Sequence, residues 1–191
     1  MNRKKLLIIA VVVVFIAMAV IIITQVKGTK TAVDSQPSAA SKSQQSVLPI
    51  TSGNPIVNTA TQKGFEIVSG IAENNVDASG KVVNDHIEIK IKNTSGKVQS
   101  NFEVFYTIKD ITTNQTDAYY SKLTNFVLAA GESKSIHFDN TGQAGHYAEN
   151  KYSLYHTSPN QMRINVSVST PGYAIQSIDI HKDAGKPEKV D

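Results

Sequence analysis

Cysteine is absent from this 191-residue chain. That absence excludes a disulfide framework, cysteine-based zinc sites, thiol nucleophiles, blue-copper ligation and a lipid anchor on sulfur. Also missing are a Gly-x-Ser-x-Gly elbow and a glycine-rich phosphate loop ending in Lys-Ser/Thr. No catalytic residue is assigned, and the chain is read as a non-enzyme. Positive charge is missing where a nucleic acid would need it. The formal charge is +3, but from Lys63 onward 13 basic residues face 15 acidic ones. The surplus belongs to the N-terminal part, so no nucleic-acid partner is expected.

A helical apolar stripe is lacking everywhere except at the start. Leu6 to Ile23 carries only Leu, Ile, Val, Ala, Phe and Met. About 20 such residues at about 1.5 Å each span a hydrocarbon core of about 30 Å. The sequence therefore predicts a transmembrane helix over Leu6–Val26. Arg3, Lys4 and Lys5 precede it without an acidic residue, which keeps residues 1–5 in the cytoplasm and the rest outside. The alternative is a cleaved signal peptide and a secreted product. A signal core is shorter and ends at a small-x-small site, whereas this run leaves through Thr24-Gln25-Val26-Lys27.

Residues 27–62 are rich in Ser, Thr, Gln, Ala and Asn, with Pro37, Pro49 and Pro55 among them. They lack sustained periodicity and are read as a disordered extracellular linker. Such a chain has an r.m.s. span of about 30–36 Å. Val47–Val57 is the one part of it with the content to add an edge strand.

From Gly64 the pattern changes to period two, the mark of a half-buried strand. Ile87, Ile89 and Ile91 alternate with Glu88, Lys90 and Lys92. Phe102, Val104, Tyr106 and Ile108 repeat the pattern, as do Met162, Ile164, Val166 and Val168. Weaker runs lie at Phe65–Glu73, Tyr119–Thr124, Lys134–Asp139 and Ala174–His181, where Ile175 falls out of phase and predicts a bulge. Turn residues separate the runs, among them Asn93-Thr94-Ser95-Gly96, Ala130-Gly131 and Pro171-Gly172. About seven strands with one apolar face each predict an all-β, immunoglobulin-like antiparallel β-sandwich over residues 63–183. Residues 184–191 are read as a disordered tail.

The stretch Ile87 to Phe138 resembles the FxLYD- and CARDB-like immunoglobulin-fold domains of prokaryotic cell surfaces. The residues that carry the likeness are Asn93-Thr94-Ser95-Gly96, Tyr106-Thr107-Ile108-Lys109-Asp110, Leu128-Ala129-Ala130-Gly131-Glu132-Ser133, and then Ile136 and Phe138. The resemblance implies an extracellular binding or accessory module and brings no catalytic residues with it.

Of five histidines, His86, His137 and His181 fall on outward faces of separate strands, and no pair has the spacing of a zinc or iron motif. Asp110, Asn114 and Asp117 do not have the alternation of a calcium loop; Asp110 and Asp117 read as turn caps. No metal and no cofactor is expected. The segment Asn140–Gln161 is long for a connection, and long loops in compact domains are commonly functional. It holds Tyr147, Tyr152, Tyr155, His146 and His156 among small polar residues, the composition of an adaptable recognition surface. Those five are the candidate ligand-binding residues, with one tyrosine, Tyr152 or Tyr155, expected to anchor the loop in the core. Asn93 and Asn114 head sequons in turns and are candidate N-glycosylation sites; the sequon at Asn165 is mid-strand. The expected role is a membrane-anchored extracellular module for a protein or glycan. The alternative is a structural subunit of an envelope complex that assembles through its helix.

Overall fold

The computed structural model describes residues 47–76, 79, 86–185 and 188–189. The segment Leu6–Val26 and the first part of the linker lie outside the described residues. Among the described residues no helix is long and apolar enough to cross a membrane.

The period-two segments form the strands. They are β1 (Phe65–Glu73), β2 (Asn75–Val76), β3 (His86–Asn93), β4 (Glu103–Asp110), β5 (Thr116–Lys122), β6 (Ser133–Phe138), β7 (His146–Tyr147), β8 (Met162–Thr170), β9 (Tyr173–Lys182) and β10 (Glu188–Lys189). Among the described residues one short helix, α1, covers Leu154–Thr157. Two four-stranded sheets result, in the orders β1-β3-β6-β7 and β5-β4-β8-β9. Every pairing in them is antiparallel except β6 with β7. The described residues therefore form a β-sandwich of two antiparallel-rich sheets.

The core lies between the apolar faces. Ile87, Ile89 and Ile91 of β3 and Ile136 and Phe138 of β6 meet Val104, Tyr106 and Ile108 of β4 and Met162, Ile164, Val166 and Val168 of β8. Aromatic rings fill one end, with Phe102 edge-on to Phe65 at 5.8 Å and to Phe126 at 5.3 Å. Where β1 and β9 close together, Gly70 provides the clearance. A Cβ there would come within 2.5 Å of Ile180 Cγ2.

The bulge expected from Ile175 is present. Between the pairs Val168–Gln176 and Thr170–Tyr173 the partner strand β9 advances one residue more than β8. A second bulge, at Val68 in β1, was not legible in the sequence; Ile67 pairs with Ile91 and Ser69 with Lys90. Gly131 takes φ +75 on the way into β6. The turn after β3 does not draw on a left-handed glycine at Gly96. There the Asn93 side chain holds the turn, its Oδ1 accepting from Ser95 N at 2.8 Å.

Two assignments at the ends of the body change. Part of the expected linker is fastened to the sandwich: Ile50 N donates to Ala118 O at 2.8 Å. Asn58 Nδ2 donates to Ser169 Oγ and to the Tyr173 carbonyl, both at 2.8 Å. These residues dock singly and form no strand, so Val47–Val57 adds no edge to either sheet. In the expected tail, Glu188–Lys189 pairs in parallel with Asn75–Val76. A two-residue strand has no periodicity to read.

Candidate functional site

The segment Asn140–Gln161 is ordered by its own short elements. Strand β7 lies along β6, with His146 beside His137 and Tyr147 beside Phe138. Helix α1 then brings Tyr155 into the core, fully buried. Its hydroxyl donates to the Glu73 carbonyl at 2.6 Å, with the His86 carbonyl 2.8 Å away. Glu73 and His86 are the last pair of the β1–β3 ladder, so Tyr155 caps that ladder's end. The buried ammonium of Lys182 donates to the Tyr155 carbonyl and lies 4.9 Å from its ring centre.

Aspartates hold the rest of the segment. Asp117 Oδ2 accepts from Leu154 N at 2.8 Å and from the Tyr119 hydroxyl at 3.1 Å. Asp110 Oδ1 accepts from Thr112 N and Thr113 N, the turn capping the sequence suggests. Its other oxygen reaches across to Ser158 Oγ at 2.7 Å and Asn160 Nδ2 at 2.9 Å. Burial works against the Asp110 charge, but these four donors hold its carboxyl well below the usual carboxylate range.

The candidate residues separate by environment. Tyr155 is withdrawn from any ligand and is the structural anchor. Tyr147 is half-buried, its ring against Phe138, and burial pushes its phenol up to about 12. It lines a cleft of about 490 Å³ with Val47, Leu48, Tyr120, Lys122 and Thr124. Tyr152 stands out at 74 % exposure with the Lys151 ammonium 5.2 Å from its ring centre. His156 Nε2 lies 3.0 Å from Glu149 Oε1. The two candidate loop histidines do not share a site: His146 pairs with Asp139 instead, Nδ1 to Oδ2 at 2.6 Å.

Asn93 is corrected as a glycosylation candidate. It is fully buried, and its amide donates to Lys97 O at 2.7 Å and Leu128 O at 3.0 Å. Asn114 is exposed in a left-handed turn with φ +61.

Residues that sequence reasoning left apart meet on the outer face of the β1-β3-β6-β7 sheet. His86 and Glu88 share that face of β3, as do His137 and Asp139 at the end of β6, because residues two apart on a strand point the same way. Glu88 stands opposite His137 in the β3–β6 register. The His137 and His146 rings stack at 4.4 Å with 9° between their planes. Glu88 Oε2 lies 3.7 Å from His137 Nδ1, and its other oxygen accepts from Ser135 Oγ at 2.7 Å. Burial holds the His137 imidazole below the ordinary histidine range, overriding the Glu88 carboxylate, with His146 adding in the same direction. Burial opposes the Asp139 charge too, but donation from Thr141 N and His146 keeps its carboxyl below the ordinary range. The signal was in the sequence: His-x-Glu at 86–88 within β3, and His-x-Asp at 137–139 where β6 ends. Only the β3–β6 pairing shows that the two motifs belong together.

No family model and no curated protein sequence matches the chain. Among solved structures, an alkylpurine DNA glycosylase of Pseudomonas fluorescens bound to DNA is 19 % identical, with a TM-score of 0.37 over 64 % of this chain and 31 % of that one. A β-glucosidase of Listeria innocua in complex with glucose is 18 % identical, with a TM-score of 0.34 over 64 % of this chain and 16 % of that one. A β-glucosidase of Erythrobacter marinus is 14 % identical, with a TM-score of 0.34 over 62 % of this chain and 15 % of that one. The chain thus spans less than a third of the length of each.

Proposed function

We propose that the chain is a membrane-anchored extracellular binding module with an immunoglobulin-like sandwich, recognising a protein or glycan through the Asn140–Gln161 segment. Two features support the immunoglobulin-like reading. The chain switches sheets between β3 and β4 and returns between β5 and β6, so that β3 neighbours β6 and β4 neighbours β8. A buried tyrosine ahead of β8 ties the corner back to the main chain, as in many such sandwiches.

The observation that carries the binding reading is the division of labour within the segment. Tyr155, Asp110 and Asp117 hold its base, while Tyr152 is presented to solvent and Tyr147 walls a cleft. A rigidly held loop with an exposed aromatic contributes contact area at low ordering cost. The anchor is Leu6–Val26, with Arg3 to Lys5 setting the orientation.

The test uses the full chain displayed on cells, offered envelope glycan and extracellular protein fractions. Replacing Tyr147 and Tyr152 together with Ala should weaken capture at least about tenfold, the loss of roughly 1.4 kcal/mol, with the sandwich still folded. Exchanging Leu6–Val26 for an unrelated apolar span should leave capture intact. Capture that follows the helix and ignores the tyrosines would instead support the structural-subunit reading.

A further inference from the structure

Strand β3 carries His86 and Glu88, β6 carries His137 and runs out into Asp139, and β7 adds His146. One donor atom from each of His137, Asp139 and His146 lies within 4.8 Å of the other two. The same is true of His86, Glu88 and His137. Five nitrogen and oxygen donors from β3, β6 and β7 therefore share one patch of the sheet's outer face. A cleft of about 310 Å³ lined by Ser135, His137, Gly145 and His146 opens beside it.

We propose that this patch binds one divalent transition-metal ion, zinc foremost, with His137, Asp139 and His146 as ligands and Glu88 positioning the His137 ring. An ion pair accounts for Asp139 and His146 by themselves. It does not account for a second imidazole stacked on the first and facing a second carboxylate. Two imidazoles with a carboxylate are a donor set for zinc, nickel or copper, whereas calcium and magnesium take oxygen alone. Zinc ligands sit about 2.0–2.2 Å from the ion, so side-chain rotation must draw in the donor atoms that lie up to 4.8 Å apart and open the Asp139–His146 pair from 2.6 Å. Glu88 occupies the place from which a carboxylate orients a ligating imidazole, and Ser135 steadies it in turn. The two carboxylates balance the ion's charge. This goes beyond the binding-module reading and does not depend on where the chain resides or on what the tyrosine loop recognises.

The test takes the full chain in detergent, without a polyhistidine tag and stripped by chelator, and titrates it calorimetrically with Zn²⁺. Co²⁺ serves as a visible-absorption reporter. The wild-type chain should take up one ion per molecule at micromolar or lower concentration. His137→Gln, Asp139→Asn and His146→Gln should each abolish uptake or weaken it at least about 100-fold, and Glu88→Gln should weaken it about 10–100-fold. His181→Gln, outside the patch, should bind as wild type. Metal-free circular dichroism of each variant separates lost ligation from lost folding. Absence of stoichiometric uptake by the wild-type chain would overturn the proposal, as would folded His137→Gln and His146→Gln chains that bind with unchanged affinity.

Discussion

Tyr155 and Tyr152 lie three residues apart and have opposite fates. Tyr155 is fully buried with its hydroxyl on the last carbonyls of the β1–β3 ladder, and Tyr152 is 74 % exposed. Tyr155→Ala should therefore cost about 3–5 kcal/mol, and Tyr155→Phe about 0.5–1.5 kcal/mol for the lost hydroxyl hydrogen bond. Tyr152→Ala should stay within about 0.5 kcal/mol. Urea unfolding followed by far-UV circular dichroism checks all three, and equal losses at both positions would show that the whole segment is core. Asp110 gives a prediction in pH. Its folded carboxyl is depressed by four donors, so its contribution is complete above the unfolded value of about 3.9. That contribution is lost as pH falls from there toward the folded value. The difference in melting temperature between wild type and Asp110→Asn should be full at pH 6 and shrink below about pH 4.

Among elements, β1 and β9 make the closest approach between the two sheets. Gly70 stands where a Cβ would meet Ile180 Cγ2 at 2.5 Å, and Gly64 where one would meet the Tyr173 ring at 2.0 Å. The Ile180 methyl is fixed on a branched carbon, and the Tyr173 ring would be met as far back as its Cγ, at 2.5 Å, while it packs on the core. Gly70→Ala and Gly64→Ala should thus each cost about 1–3 kcal/mol or more, by thermal denaturation of the two variants. The longer strands were legible because each alternates over enough residues to set a phase, as Ile87, Ile89 and Ile91 do. Ile175 announced its bulge by breaking phase, but Val68 did not, since an apolar residue at a bulge looks like a continued strand. The strands β7 and β10 and the single turn of α1 are too short to carry a period. The histidine patch escaped for another reason. Its two His-x-carboxylate pairs are local, but their meeting depends on β3 pairing with β6 across the whole stretch between Asn93 and Ser133, which no local pattern records.

For the whole molecule, the proposed topology puts the sandwich outside the membrane, and the residues leading into β1 are fastened to β5, β8 and β9. Asn58 reaches Ser169 and Tyr173, and Ile50 reaches Ala118. A protease should thus spare the backbone around Asn58. The central claim is that this sandwich stands on the outer side of the membrane. The direct measurement adds protease to intact cells or spheroplasts carrying the full chain and follows an epitope at the C-terminus. The account predicts release of a soluble, protease-resistant fragment containing Gly64–Lys182 without lysis. A Gly64–Lys182 region that stays cell-bound and protected until the membrane is opened would contradict it.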